Sequence, residues 1–145
     1  MAASKKVMTL IRPPSITIAE GIHFTKGIPP IGLAYIAGSL KQSNIPYKII
    51  DGIGEQINSL YKIKGTEFTL RGMTYDQVIN SIDPDSSIIG LSVMFTTEWS
   101  SHKVLVERIK NSFPDAFIFL GGEHASATWK KILSQKNSVD ACVVG

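Results

Sequence analysis

The sequence contains a single cysteine, Cys142, which excludes an internal disulfide and any metal or iron–sulfur cluster held by cysteines of this chain alone. Lying in "VDACVVG", that thiol is expected to be a small core residue, and such usage suits a reducing, cytoplasmic setting. No apolar stretch approaches the roughly 18 residues of a membrane span, so a soluble chain with no membrane partner is expected. The apolar run in "MAASKKVMTLIRPPS" is stopped by Arg12 and two prolines, which predicts a first strand rather than a signal peptide. A basic stripe interleaved with aromatics is also missing: 15 Lys+Arg against 12 Asp+Glu give +3, scattered as singles and pairs, which argues against a nucleic-acid partner. There are no internal repeats and no low-complexity linkers. At 145 residues and 43% hydrophobic, the chain fits one domain spanning 1–145.

Short β-branched or apolar runs recur at "KVMTLI" (6–11), "YKIID" (47–51), "SIIGLSVMF" (87–95), "AFIFLGG" (116–122) and "DACVVG" (140–145). They are continuous rather than alternating, as in strands buried on both faces. Helical patterns lie between them. Leu33, Ile36, Ala37 and Leu40 recur at i, i+3, i+4 and i+7 behind Pro29-Pro30, and Thr74 with Gln77 reads as a capping box. Leu105, Ile109 and Phe113 share one face of a segment ending before Pro114, and Trp129, Ile132 and Leu133 form the apolar side of the last helix. This alternation predicts a flavodoxin-like (Rossmann-like), doubly wound parallel α/β sheet of about five strands. "SLYKIKGTEFTLRGM" (59–73) alternates around Gly65 and is expected to be a β-hairpin insertion.

In such folds ligands bind beyond the carboxyl ends of the strands. The first of these ends, "RPPSITIAEGIHFTKGIPPIG", reads as a long loop without a G-x-G-x-x-G or G-x-x-x-x-G-K-[ST] cradle, so dinucleotide and nucleoside-triphosphate sites lose their phosphate anchor. A phosphoacceptor site also fails, because "GLSVMF" ends in Phe95 rather than a carboxylate and the first strand runs into Arg12-Pro13-Pro14. What remains is small and hydroxylated: Ser92, Thr96 and Thr97, and Gly121-Gly122. Glycines let a flat ligand touch backbone, and a serine hydroxyl can bond a buried polar group. Taken singly, the glycines equally turn the chain and Ser92 equally bonds a neighbouring carbonyl.

Ser92-x-Met94 followed after 26 residues by Gly121-Gly122 resembles the S-x-L and G-G elements of cobalamin-binding domains. "GIPPIGLAYIAGSL", "SIIGLSVMFTTEWSSHKVLVERIKNSFPDAFIFLGGEHASA" and the closing "VDACVVG" extend the likeness. Together they resemble the N-terminal cobalamin (vitamin B12)-binding domain of cobalamin-dependent radical S-adenosylmethionine (SAM) enzymes. The resemblance implies that cobalamin is bound with its nucleotide tail inserted in the sheet. It assigns Pro13, Pro14, Ser92, Met94, Phe95, Thr96, Gly121, Gly122, Glu123, His124 and Gly145 to cofactor binding, and no residue to catalysis or metal binding. A radical SAM domain in cis, with its 4Fe-4S cluster and S-adenosyl-L-methionine, is expected downstream of this chain. The domain itself would bind and not catalyse.

Two departures qualify the likeness. His23 in "EGIHFTKG" lacks the aspartate of the D-x-H-x-x-G motif that places a histidine on cobalt, so no histidine ligand is expected. Nothing supplies C-x-x-x-C-x-x-C, which belongs to the downstream domain. Glu123 and His124 either meet the ligand's polar edge or cap the next helix, His102 reads as a surface residue, and Trp99 and Phe95 either wall the corrin or edge the core. A valine at Gly122 is expected to abolish corrinoid binding and leave the fold largely intact. The alternatives are a flavodoxin-like regulatory or partner-binding module that binds no corrinoid, and a flavin- or nucleotide-dependent enzyme.

Overall fold

The computed structural model describes residues 7–18, 28–135 and 138–145. In chain order its elements are β1 (Val7–Arg12), β2 (Ser15–Ile18), α1 (Ile31–Gln42), β3 (Tyr47–Asp51), β4 (Leu60–Lys62), β5 (Phe68–Arg71), α2 (Tyr75–Ser81), β6 (Ser86–Ser92), α3 (Trp99–Ser112), β7 (Phe117–Gly121), α4 (Glu123–Ser134) and β8 (Ala141–Cys142). The apolar runs become a five-stranded sheet in the order β3-β1-β6-β7-β8, with every neighbouring pair parallel. This is the flavodoxin-like arrangement, because the chain steps from the first strand to one side and then returns past it.

Strand alternation divides the side chains between two faces. Ile11, Ile89, Leu91, Ile118 and Leu120 point into the main core with Val78 of α2, Leu105, Val106 and Ile109 of α3, and Ala125 and Ile132 of α4. The other face carries Leu10, Gly90 and Phe119, aligned across β1, β6 and β7, and Leu33 of α1 lies against it. Towards β8 this face is less covered, since Phe117 is 47% and Val143 57% exposed. Parallel sheets are normally buried on both faces.

The hairpin expected over 59–73 forms as β4 and β5. Its sheet has a third member that sequence reading assigned to a loop: β2 pairs antiparallel with β5, Ser15 opposite Arg71 and Ile18 opposite Phe68. "SITI" does alternate, but it is four residues long, follows two prolines, and finds its partner about fifty positions away.

Other expectations shift in detail. The capping box on α2 is present in both directions, with Thr74 accepting from the Gln77 amide and the Gln77 side chain accepting from the Thr74 amide. α1 ends in a Schellman turn at Asn44 (φ 54°), where Ile45 donates to Leu40 and Asn44 to Lys41. Along α1 only Leu33 and Ala37 of the expected face are buried, while Ile36 is 42% exposed. In α4 the buried residues are His124, Ala125 and Ile132, whereas Trp129 and Leu133 stay on the surface. The last strand is limited to Ala141–Cys142, and Cys142 packs half-buried against the core.

Thr74→Ala removes a cap acceptor from a short helix that packs Val78 into the core. A loss of about 1 kcal/mol is expected, read as a lowered urea midpoint with an unchanged slope; an unaltered midpoint contradicts the role given to the cap.

Candidate functional site

The strand order reverses between β1 and β6, and the crevice outside the carboxyl ends of the strands at such a point is where open α/β sheets take ligands. Two cavities meet there. A slot of about 160 Å³ lies between α1 and the sheet, with Leu10, Leu33, Gly90, Phe119 and Gly121 among its walls. A second cavity of about 100 Å³ sits at the strand ends, bounded by Arg12, Pro13, Ser15, Phe95, Glu98 and His102. Ser92 and Met94 line both. A larger hollow of about 430 Å³ lies around 84–87 and 112–116, before the amino ends of β6 and β7. It is more open and at the wrong end of the sheet, so volume alone does not pick the site.

Two successive rows of the sheet carry a glycine on this face, one covered by a neighbouring ring and one open. Gly90 stands between Leu10 and Phe119, and one row higher Ser92 pairs with Gly121. A Cβ built on Gly90 would run into the Phe119 ring, whereas one built on Gly121 meets nothing within 4 Å. The neighbouring glycine is different. Gly122 has φ 99°, and a Cβ there would come within 2.6 Å of the Val93 carbonyl oxygen. The expectation that Gly122→Val spares the fold is therefore corrected: Gly122 is required by backbone conformation and close approach. Gly121 is the position open towards the slot.

A set of polar contacts holds the ends of β1 and β6. The Glu98 carboxylate accepts from the Ser15 hydroxyl at 2.5 Å and the Ile16 amide at 2.9 Å, tying β2 to the start of α3. His102, expected on the surface, is 2% exposed. The amphipathic period of α3 turns it inwards, and its Nε2–H donates to the Pro14 carbonyl at 3.1 Å. Its Nδ1 is buried without a partner among the described residues. His124 is also buried. The Thr128 hydroxyl donates to the His124 carbonyl at 2.7 Å, so its oxygen accepts from Nε2–H at 3.2 Å. Nδ1 is then the acceptor for the Thr96 hydroxyl at 2.9 Å, a fully paired neutral imidazole. Trp99 lies 5.2 Å from the ring.

Burial pushes the pKa of both histidines below the ordinary 6.5. For His102 the Glu98 carboxylate and the Pro14 carbonyl oppose the shift without overcoming it. For His124, His102 and Lys131 add to it.

Of the residues singled out in the sequence, Ser92, Met94, Gly121 and Gly122 gather around the slot and Pro13, Ser92, Met94 and Phe95 around the upper cavity. Pro14, Thr96, Glu123, His124 and Gly145 line neither. Glu123 is exposed, and the Gly145 amide donates to the Ser126 hydroxyl at 3.3 Å. His23 lies outside the described residues. Sequence reading missed Glu98, Gly90 and Phe119, although Gly90 opens the quoted "GLS" run.

Residues 19–145 match the B12 binding domain family. The chain belongs to the B12-binding domain family. A comparison with curated proteins finds no match. The match begins after β1, so the strand that supplies Leu10 to the slot precedes it. Membership supports cobalamin as the ligand, and the site fits the cofactor: the slot has unfilled space over Gly121 and opens at Ser92 and Met94 into the cavity at the strand ends. Among the described residues, no helix of this B12-binding domain is long and apolar enough to cross a membrane.

The lowered histidine pKa values carry a pH signature. Between their folded values and 6.5 the unfolded chain holds more protons than the folded one, so this stability is present above about pH 6.5 and is lost as pH falls. The urea midpoint is expected to drop from pH 7.5 to 5.5, and to drop less in His102→Gln/His124→Gln. Equal slopes in the two proteins contradict the assignment.

Proposed function

We propose that this B12-binding domain holds cobalamin with its nucleotide tail inserted between α1 and the sheet, and the corrin seated over the strand ends. The observation that carries this reading is Gly121: its missing side chain faces open space beside Ser92, with no conformational reason for glycine. In the proposed arrangement Leu10, Leu33, Gly90, Phe119 and Gly121 enclose the tail, and the Ser92 hydroxyl bonds its buried nitrogen. Pro13, Met94 and Phe95 meet the ring. Pro13 is suited to that place because it carries no amide hydrogen that would need a partner under an apolar surface.

The proposal leaves cobalt without a histidine. His102 and His124 are held by Pro14, Thr96 and Thr128, and His23 lacks the aspartate that would orient its ring, a partner that metal-bound histidines normally have. The absent D-x-H-x-x-G motif and the order of P-P-x-G-L, G-L-S and G-G-E-H support placing the domain beside a radical SAM domain in the same polypeptide. The cofactor then supplies the methyl-transfer or related radical chemistry, and this domain supplies orientation. A C-x-x-x-C-x-x-C motif encoded in frame after Gly145 bears that parentage out, and a reading frame without one contradicts it.

Gly121→Val tests the tail slot. The variant fills the open position at an extended site that a β-branched residue accepts, and a tenfold or greater loss of hydroxocobalamin affinity by equilibrium dialysis is expected, with unchanged circular dichroism. Undiminished affinity in the folded variant overturns the slot assignment.

A further inference from the structure

The polarity of the slot bears on which corrinoid it accepts. Among its described lining residues there is no charged side chain and a single hydroxyl, that of Ser92; the rest are Leu10, Leu33, Ile36, Leu91, Met94, Phe119 and glycines. Backbone acceptors offer little more, although the Gly32 and Leu33 amides in the first turn of α1, which has no side-chain cap, are donors at its wall. The floor is made of β1, β6 and β7, whose amides and carbonyls are spent on the parallel ladder. At the mouth the same holds: the Gly121 carbonyl accepts from the Val93 amide at 2.8 Å, the Val93 carbonyl from the His124 amide at 3.2 Å, and the Gly122 carbonyl from the Ser126 amide at 2.9 Å. Of the two imidazoles nearby, neither lines the slot: His124 is paired at both nitrogens and His102 is held through Nε2. The Phe119 ring lies over Gly90 and closes the floor there.

We infer that the slot selects among cobamides by the polarity of the lower base, accepting a benzimidazole or phenolic ring and discriminating against adenine. This rests on the reading that the nucleotide tail enters the slot. A benzimidazole brings one buried ring nitrogen that needs a partner, and Ser92 provides one. A phenolic base brings no ring nitrogen. Adenine brings an exocyclic amine as well as its ring nitrogens, and that amine needs an acceptor that the wall, the Ser92 hydroxyl apart, does not offer. Buried polar groups left unpaired are costly, whereas apolar rings gain from the same surroundings.

The test is equilibrium dialysis of the whole chain against four cyano-corrinoids: cobalamin, a phenolyl cobamide, the adeninyl cobamide, and cobinamide, which lacks the nucleotide. Cobalamin and the phenolyl cobamide are expected to bind within a few-fold of each other, the adeninyl cobamide at least tenfold more weakly, and cobinamide more weakly than cobalamin. If cobinamide binds as tightly as cobalamin, the tail is not in the slot and the underlying reading falls. If cobalamin exceeds cobinamide but the adeninyl cobamide matches cobalamin, the tail reading stands and the selectivity is overturned.

Discussion

A close-packed interior does not ordinarily leave side chains out of the middle of a sheet. Here Gly121 does so, beside a row whose Gly90 is covered by the Phe119 ring, and α1 contributes only Leu33 and Ala37 as buried residues. An empty volume of 160 Å³ at about 24 cal/mol per Å³ corresponds to at most roughly 4 kcal/mol of forgone packing. That is a large fraction of a domain's net stability. A void of this kind is a reservoir that a ligand of matching shape and polarity can draw on, and the remaining features of the site follow from keeping it open, apolar and accessible from the strand ends.

The polar groups around it have a common effect. Glu98 is committed to Ser15 and Ile16, His102 to Pro14, and His124 to Thr96 and Thr128. Each pairing satisfies a group that would be costly to bury alone, and none of the three side chains lines the slot. The same contacts fix the segment after β1, where β2 is held between β5 and Glu98. Gly122 lines the slot and also serves the architecture: its left-handed backbone brings the start of α4 close enough for the His124 amide to reach the Val93 carbonyl.

Much of this was legible in the residues because local and global preferences agree. Continuous apolar runs gave the parallel strands, and Thr74 with Gln77 marked a real cap. The slot residues Ser92, Met94 and Gly121 were visible through the order of short motifs. What escaped was non-local. Whether "SITI" is a loop or a strand depends on β5, and whether His102 is surface or core depends on where Pro14 and Glu98 come to lie. The two adjacent glycines look alike as letters; only φ and the nearest carbonyl separate the one that turns the chain from the one that leaves a gap. Glu123 and His124 follow them in a motif, yet helical geometry sends the first to solvent and the second into the core.

The most direct measurement of the central claim is electron paramagnetic resonance of cob(II)alamin bound to the protein. If the tail occupies the slot, the cofactor's own base has left the metal, and if no histidine replaces it, the cobalt lines carry no nitrogen splitting. Lines without threefold structure are the predicted result. Threefold splitting of each line, from either a retained base or a protein imidazole, would contradict the account.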